Sequence, residues 1–317
     1  MTILDNLRKR KKERESGVNS DIVTGLVVQG GGMRGGYSMA ALMAMQELGL
    51  DEAFDNVFGS SAGAINGAYL LGKQAKIAVT VYVDDLSNKN FVDFFRISKI
   101  VDIDFLVDGA LTKIKPLDVD KVVSSSTVLY IYLTDFLSGK SICFTNHTPK
   151  INLMEAIRAT AALPILYNKP VEVLSKQYID GGVANGIPLI SAIEAGCTDI
   201  VVVLTRPPSF RRKKISNLMK MIEYPFLIKY PAPTRKAVYN IDELFNLNMD
   251  LIEHPEKLDK NINLLVVHQK ENEQIIGRTT YDRSVVLQGA YYGYRDMRNA
   301  LEAPNIAFED FCKILYY

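Results

Sequence analysis

The sequence predicts an α/β fold in which a mostly parallel sheet is sandwiched between helices. Three short apolar runs, each next to a helical pattern, indicate buried strands; they are Thr24–Gln29, Asp55–Phe58 and Asp199–Leu204. Strands that alternate with helices form parallel sheets, and strands covered on both faces have continuous apolar runs. With 317 residues, the chain is long enough for one large domain or for a domain with an appended segment.

The first 20 residues are polar and strongly charged. We expect a flexible or helical tail from residue 1 to residue 20. Its basic cluster, Arg8–Lys12, is compatible with contact to anionic lipid. A charge run of this kind is more typical of a solvated, partly disordered end, and the sequence favours that interpretation.

Predicted helices follow the first two strands, at Arg34–Leu48 and Ala62–Leu71. Helical and irregular segments occupy residues 76–123. Alternating stretches at residues 127–134 and 140–145 then predict a hairpin with a Ser-Gly turn. The elements that follow are a helix at Asn152–Ala162, strands at Val171–Val173 and Gln177–Ile179, and a helix that opens at Pro188 and ends near Gly196.

A composition shift marks the end of this alternating pattern. Two consecutive prolines are followed by the basic run Arg211–Lys214, and we place a soft boundary near residue 206. We expect residues 21–206 to form the main domain and residues 207–317 a mixed, mainly helical extension packed on it. The predicted elements of the extension are a strand at Asn263–Val267 and a terminal helix pair from Tyr281.

The segment Lys213–Ile222 predicts an amphipathic helix beside this basic run. Its apolar residues share one helical face; they are Ile215, Leu218, Met219 and Ile222. Such a helix either lies in a membrane interface or packs its apolar side on the core. The pattern favours packing on the core, which is the usual arrangement in globular proteins.

The overall composition argues against several classes of protein. A formal net charge of +1 provides no attractive field for nucleic acid, so no nucleic-acid partner is expected. No apolar run approaches the ~18 residues of a membrane span, and the N-terminus lacks a signal-peptide core. Three widely spaced cysteines suit a reducing cytoplasm, and neither the cysteines nor the histidines form a metal-binding pattern. We therefore expect a cytoplasmic protein without a metal or other cofactor.

The pentapeptide Gly59–Gly63 has the pattern G-x-S-x-G between a predicted strand and a predicted helix. This is the layout of a nucleophile elbow, a sharp turn that presents a serine hydroxyl. Gly59 and Gly63 flank Ser61, and their missing Cβ atoms leave the space that such a turn needs. The pattern alone is weakly specific, but it makes Ser61 a candidate nucleophile.

A glycine-rich loop follows the first predicted strand and opens a helix. Its residues are Gly30, Gly31, Gly32, Arg34 and Gly35, with the glycines in G-x-G-x-x-G order. Backbone N–H groups at a helix N-terminus attract negative charge. The loop is therefore suited to hold a phosphate or the oxyanion of a tetrahedral acyl intermediate, and Arg34 adds a cation nearby.

A dinucleotide-binding turn is the competing interpretation of this loop, and it would make the chain a nucleotide- or phosphate-binding module without esterase activity. That role needs an acidic residue at the end of the second strand. Asp51 and Asp55 lie at a suitable distance in sequence, but both precede that strand. The oxyanion interpretation is therefore favoured. A Walker loop is excluded because no Gly-Lys-Ser/Thr follows the glycines.

A nucleophilic serine needs a base, and the chain offers two kinds. Asp180 precedes Gly181 and Gly182, a context in which aspartate is commonly a turn residue. It would serve as a base only in a dry site that raises its pKa. The three histidines, His147, His254 and His268, lie in turn or polar contexts. An α/β-hydrolase triad that uses His254 or His268 stays open beside a carboxylate base.

The three motifs in this order, together with Arg158–Pro164 upstream of Asp180, resemble the patatin-like phospholipase family over residues 24–206. The resemblance implies a three-layer α/β fold and acyl-ester hydrolysis by a serine–aspartate dyad without histidine. By position, Ser61 would be the nucleophile and Asp180 the base. The implied oxyanion loop comprises Gly30, Gly31, Gly32, Arg34 and Gly35.

The same resemblance implies the substrate class, a lipid or other acyl ester, as in a phospholipase A, a lysophospholipase or a carboxylesterase. It is compatible with peripheral membrane contact. The chain departs from the family pattern at Gln29, directly before the first glycine, and after Arg206, where no family element is recognised.

Overall fold

The computed structural model describes residues 2–18, 20–96 and 99–317. Within these residues, eight strands form one sheet. The strands are β1 Thr24–Val28, β2 Asn56–Ser60, β3 Val128–Asp135, β4 Ser141–Thr145, β5 Val171–Val173, β6 Lys176–Asp180, β7 Asp199–Val203 and β8 Asn263–Val267. The helices are α1 Ile3–Glu15, α2 Gly35–Glu47, α3 Ala62–Leu71, α4 Ala75–Thr80, α5 Val119–Ser124, α6 Leu153–Thr160, α7 Leu189–Glu194, α8 Asn217–Leu227, α9 Ala232–Tyr239, α10 Ile241–Glu253, α11 Arg283–Ala300 and α12 Phe308–Tyr316. Two π-helical segments, Val81–Asp85 and Phe105–Ile114, lie between α4 and α5.

The centre of the sheet is parallel. β1 lies between β2 and β7, and β3 and β8 extend the parallel set on either side. β4 and β6 pair antiparallel with β3, and β5 pairs antiparallel with β6. Every residue of β1, β2 and β7 is buried, as expected for strands covered by helices on both faces. The predicted α/β architecture is confirmed.

The topology brings the sequence motifs to one edge of the sheet. The glycine-rich loop follows the carboxyl end of β1, and Ser61 follows the carboxyl end of β2. β6 runs antiparallel to β3 and places Asp180 opposite Leu133, near the carboxyl end of β3. Ligand sites of open α/β sheets lie at this edge.

The C-terminal region is built into the same sheet. β8 pairs with β7 over five residue pairs from Asp199–Asn263 to Val203–Val267. Helix α11 packs along α2, where the Tyr37 hydroxyl donates a hydrogen bond of 2.9 Å to Asp296 Oδ2. Residues beyond the composition shift at 206 therefore complete the layers of the main domain.

The N-terminal segment is a docked helix, which differs from the solvated tail that its charge suggests. Leu7 of α1 is fully buried. Arg10 and Arg14 contact the Asp55 carboxylate at 2.6 and 2.7 Å, and Asp55 also accepts a hydrogen bond from the Thr24 backbone N–H. The charges of this helix are thus partly used in ion pairs with the sheet, which a count of charged residues does not reveal.

Helix α8 exposes its apolar side chains, so the prediction that it packs them on the core is wrong. Leu218 and Met221 are 63 % and 67 % exposed, and Ile222 is 52 % exposed. Within α8, only Leu227 is buried. An amphipathic period fixes which side chains share a face, but it does not fix what lies opposite that face.

Candidate active site

Ser61 occupies a sharp turn between β2 and α3. Its backbone angles are φ 54° and ψ −133°, and a positive φ is uncommon outside glycine. The turn is tightly packed, because a Cβ atom at Gly63 would lie 2.1 Å from the Val28 carbonyl oxygen. The strained serine and the glycine two residues later are both features of a nucleophile elbow.

Thr160 holds this turn in place. The Ser61 backbone N–H donates to Thr160 Oγ1 at 2.8 Å, and the same hydroxyl donates to the Tyr132 carbonyl oxygen at 2.6 Å. Thr160 ends α6, so one buried hydroxyl connects the elbow to α6 and β3. The Ser61 N–H is occupied by this bond.

The Asp180 backbone is fixed by the same part of the fold. Its N–H donates to the Ala162 carbonyl oxygen at 3.0 Å, and its carbonyl oxygen accepts from Thr134 Oγ1 at 2.9 Å. The next residue must be glycine, because a Cβ atom at Gly181 would lie 1.8 Å from the Tyr132 carbonyl oxygen. The strand β3 and the end of α6 therefore position Ser61 and Asp180 together.

The Asp180 carboxyl group is buried and only partly hydrogen-bonded. Oδ1 accepts from the Gly182 N–H at 2.6 Å, while buried Oδ2 has no hydrogen-bond partner among the described residues. Burial raises the pKa of Asp180 from 3.8 to about 6, against the Ser61 hydroxyl and the Gly182 N–H, which lower it. The Ser61 hydroxyl is thus near enough to lower the pKa of a buried carboxyl group that retains acceptor capacity.

The glycine-rich loop lies against the elbow. A Cβ atom at Gly30 would approach Ser61 Cβ to 3.1 Å. Within the described chain, no hydrogen bond uses the backbone N–H groups of Gly30, Gly31 or Gly32. A short 3₁₀ turn, Gly32–Arg34, then leads into α2. These donors at a helix start are available to a negatively charged oxygen near Ser61.

Gln29 anchors this loop to the neighbouring strand. Its side-chain oxygen accepts from the Thr205 N–H at 2.6 Å and from the Thr205 hydroxyl at 3.1 Å. Its backbone N–H donates to the Val203 carbonyl oxygen at 3.0 Å. Gln29 therefore ties the end of β1 to the end of β7, which gives a structural role to this departure from the family pattern.

Ser61 lies between two spaces of different character. A cavity of about 420 Å³ opens in front of Ser61 and Asp180, and four arginines contribute to its walls; they are Arg34, Arg206, Arg212 and Arg278. On the other side, a narrow cleft of about 30 Å³ has mainly aliphatic and aromatic walls. Both π-helical segments contribute to that cleft, through Tyr82 and Leu106 among others.

A sequence model of the patatin-like phospholipase family matches residues 26–193, slightly more than half of the chain. This chain belongs to that family. Membership places it among the lipid acyl hydrolases at the level of the family, and the matched span contains both Ser61 and Asp180.

Two further proteins are similar to this family member. The uncharacterized protein YjjU of Escherichia coli K12 is 29% identical over 196 residues, which cover 57% of this chain and 52% of YjjU. The chain thus spans about half the length of this curated relative. The crystal structure of VipD from Legionella pneumophila matches 89% of this chain and 67% of VipD, with a TM-score of 0.51 and 13% identity. This second likeness supports the fold alone.

Other residues weighed from the sequence lie elsewhere. His254 contacts Glu256 at 3.3 Å, His268 Nδ1 lies 3.1 Å from the Gln269 carbonyl oxygen, and neither histidine lines the two spaces beside Ser61. Gly35 begins α2 against Tyr82 and does not line the cavity. The Asp55 carboxylate, considered for a ribose, is held by α1. These placements remove the specific support for a histidine triad and for a dinucleotide site.

The described residues include neither a membrane-spanning helix nor a cluster of metal ligands. No helix among them is both long and apolar enough to cross a bilayer. No group of three or more His, Cys, Asp or Glu side chains within the same ranges is arranged to hold a metal ion.

Sequence reasoning missed two sets of residues at the site. One is Thr160, whose signal was its place in the block Arg158–Pro164. The other is the group of arginines that follow β7, Arg206, Arg212 and Arg278, which the fold brings to the cavity that also contains Arg34. The basic run Arg211–Lys214 was a sequence signal for Arg212 alone.

Proposed function

We propose that this family member is a serine acyl hydrolase in which Ser61 is the nucleophile and Asp180 the general base. The observation that carries the proposal is the buried Asp180 carboxyl group, with a raised pKa and an unbonded oxygen within range of the Ser61 hydroxyl. A carboxylate with a pKa of about 6 accepts a proton more readily than an ordinary aspartate and is still ionised at neutral pH.

The reaction follows from this arrangement in two halves. Ser61 Oγ attacks the ester carbonyl carbon while Asp180 takes its proton, and the N–H groups of Gly30–Gly32 stabilise the oxyanion. When the intermediate collapses, Asp180 gives the proton to the leaving alcohol, and Ser61 keeps the acyl group. Water then attacks the acyl-enzyme as Asp180 takes its proton, and Asp180 returns a proton to Ser61 as the fatty acid leaves.

The apolar cleft is suited to the acyl chain of the substrate. Its walls include Ile65, Leu106 and Leu111, and it begins at Ser61. The cleft is narrow, with an open volume of about 30 Å³, so we expect its walls to move apart when an acyl chain enters. Wide π-helical turns are common at functional sites, and here they form part of the wall that has to move.

Helix α8 provides a surface for approach to the lipid. Its exposed apolar residues lie beside the exposed lysines Lys213 and Lys214, and Ile215 and Glu223 of this region line the cavity that opens on Ser61. Apolar side chains next to cations match an anionic membrane surface. We assign this face to contact with anionic lipid, so that the cavity mouth is held at the interface.

A fluorophosphonate probe tests the nucleophile. We expect the wild type to be labelled and Ser61→Ala to remain unlabelled. Ser60→Ala is the matched control, because Ser60 is adjacent and buried, and its hydroxyl has no hydrogen-bond partner in the described part of the chain. Labelling of Ser61→Ala, or no labelling of folded wild type, would contradict the proposal and favour a phosphate-binding module built on the glycine loop.

A further inference from the structure

Four arginines converge on the cavity in front of Ser61 without carboxylate partners. Arg34 comes from the glycine-rich loop, and Arg206, Arg212 and Arg278 come from the region after β7. Among the described residues, the ion pairs that arginines form with carboxylates involve other arginines, and none includes these four guanidinium groups. By contrast, the neighbouring Arg211 is paired with Glu253 outside the cavity.

Several of their donor atoms are buried and unsatisfied. Arg34 is only 8 % exposed, and no described residue accepts a hydrogen bond from its Nε. Arg206 Nε and Arg212 Nη1 are likewise buried without a partner among the described residues. A buried charged donor without an acceptor is costly, so an acceptor that fits all of them would be bound favourably.

The guanidinium groups affect one another electrostatically. Burial, and then the charges of Arg278, Arg206 and Arg212 in that order, together lower the pKa of Arg34 to about 9. The pKa of Arg212 is lowered to about 10 by burial and by Arg278, although Asp180 and Asp242 act in the opposite sense. The cluster is therefore a region of concentrated positive charge.

Aromatic rings hold two of these arginines in position. The Arg206 guanidinium lies 5.1 Å from the ring centre of Phe210, and that of Arg212 lies 4.0 Å from the ring centre of Phe245. Stacking of this kind orients a planar guanidinium and leaves its N–H edge free for an acceptor. The side chains are thus fixed before any ligand arrives.

The acidic residues of the cavity do not neutralise it. Asp180 contributes a single negative charge when it is ionised, and burial raises the pKa of Glu223, which favours its neutral form. The lining contains five cationic side chains, Lys213 included, and two acidic ones. This surplus of positive charge matches a dianion such as a terminal phosphate. It repels a cationic group attached to that phosphate.

We propose that the arginine cavity is a binding site for a terminal phosphate group, so that the preferred substrate is a phosphomonoester lipid such as a diacyl- or monoacylglycerol phosphate. This inference rests on the proposed hydrolase function, since the phosphate must sit beside the ester that Ser61 attacks. The acyl chain occupies the apolar cleft, and the phosphate occupies the cavity. The ester then lies between them, at Ser61. Lipids with choline or ethanolamine on the phosphate place a cation among the arginines and are disfavoured.

The first experiment measures hydrolysis of lipids that have identical acyl chains. The lipids are presented in neutral detergent micelles, which remove the effect of membrane charge. The substrates are dioctanoyl phosphatidic acid, dioctanoyl phosphatidylcholine and dioctanoylglycerol. We expect kcat/KM to be at least tenfold higher for phosphatidic acid than for the other two. The double variant Arg206→Gln/Arg212→Gln should reduce this ratio by roughly tenfold to a hundredfold, given the strength of charge-assisted hydrogen bonds. Arg211→Gln is the matched control and should preserve the ratio.

The binding arm uses Ser61→Ala, so that binding is measured without turnover. Calorimetry should show dihexanoyl phosphatidic acid to bind at least tenfold more tightly than inorganic phosphate, and the double arginine variant should lose this binding. Selective binding without hydrolysis by wild type would refute the hydrolase and, with it, the substrate assignment. Hydrolysis with equal kcat/KM for the three lipids would overturn the phosphate site alone. Equal affinity for inorganic phosphate and the lipid would also overturn it, because the ligand would then be free phosphate.

Discussion

Replacement of Asp180 by asparagine is expected to lower activity and raise stability at the same time. The carboxyl group is 2 % exposed, and burial raises its pKa from 3.8 to about 6. Asparagine keeps the shape and retains an oxygen that can accept the Gly182 N–H, but it cannot take the proton of Ser61. We expect kcat for p-nitrophenyl butyrate to fall by about 10²–10⁴-fold, the usual contribution of a general base.

The stability change follows from the pKa. The folded state binds this proton more tightly than the unfolded state, so stability is highest below pH 3.8 and decreases as the pH rises towards about 6. The difference between the pKa of Asp180 in the folded state, about 6, and in the unfolded state, 3.8, lowers the free energy of unfolding by about 3 kcal/mol above pH 6. Asp180→Asn should therefore raise the free energy of unfolding by up to about 3 kcal/mol at pH 8. The gain should disappear near pH 4.

Urea unfolding at pH 8 and pH 4, together with ester turnover, measures both effects. Asp199→Asn is the matched control, because Asp199 is also 2 % exposed but accepts hydrogen bonds from Asn6 and Asn263 at 2.7 and 3.1 Å. The control should leave turnover near wild type and should not stabilise the protein. The reasoning is refuted if Asp180→Asn keeps more than a tenth of the turnover, or if it lowers stability at pH 8 relative to wild type.

Three further predictions concern the surroundings of the site. Thr160→Val removes the acceptor of the Ser61 N–H, and we expect kcat to fall about tenfold and the free energy of unfolding to fall by about 1–3 kcal/mol, measured by ester turnover and urea unfolding. Leu106→Ala should shift the preferred p-nitrophenyl ester towards longer acyl chains, and Leu106→Trp towards acetate and butyrate, because Leu106 lines the narrow cleft. Met221→Asp should weaken binding to phosphatidylglycerol vesicles by about tenfold or more, measured by co-sedimentation, because it places a negative charge in the exposed apolar face of α8.

Each of these predictions has its own control. Thr160→Ser restores the hydroxyl and should recover most of the turnover; no recovery would show that the methyl group matters instead. A folded Leu106→Trp variant with an unchanged chain-length profile would place the acyl chain elsewhere. Val123→Asp adds the same charge at a 44 % exposed position on α5, and equal loss of vesicle binding in this variant would refute a role for α8.

The central part of the fold and the positions of Ser61 and Asp180 could be predicted because local patterns determine them. The buried strands have continuous apolar runs, and the glycines at 63 and 181 are required by backbone contacts within the elbow and beside β3. The fold confirms the predicted sheet, while the roles of Ser61 and Asp180 stay predictions. Motif order was informative because the parallel strands end at one edge.

Other features depend on contacts between distant segments. Arg34 and Arg278 are far apart in sequence, and they meet only because the Arg278 carbonyl oxygen accepts the Met33 N–H at 3.0 Å beside the glycine loop. The docked helix α1 depends on Asp55 and Asp199, which no local pattern connects to it. The exposed face of α8 could not be predicted for the same reason, because the periodicity of a helix does not reveal which segment, if any, packs against it.

The central position of β1 has a consequence for synthesis of the chain on the ribosome. β1 pairs with β2 on one side, but its other neighbour, β7, begins only at Asp199. At ordinary translation rates the second edge of β1 stays unpaired for on the order of ten to thirty seconds. An apolar strand edge exposed for that time can pair with other nascent chains. Truncations that end before β7 should therefore aggregate, even though they retain both Ser61 and Asp180.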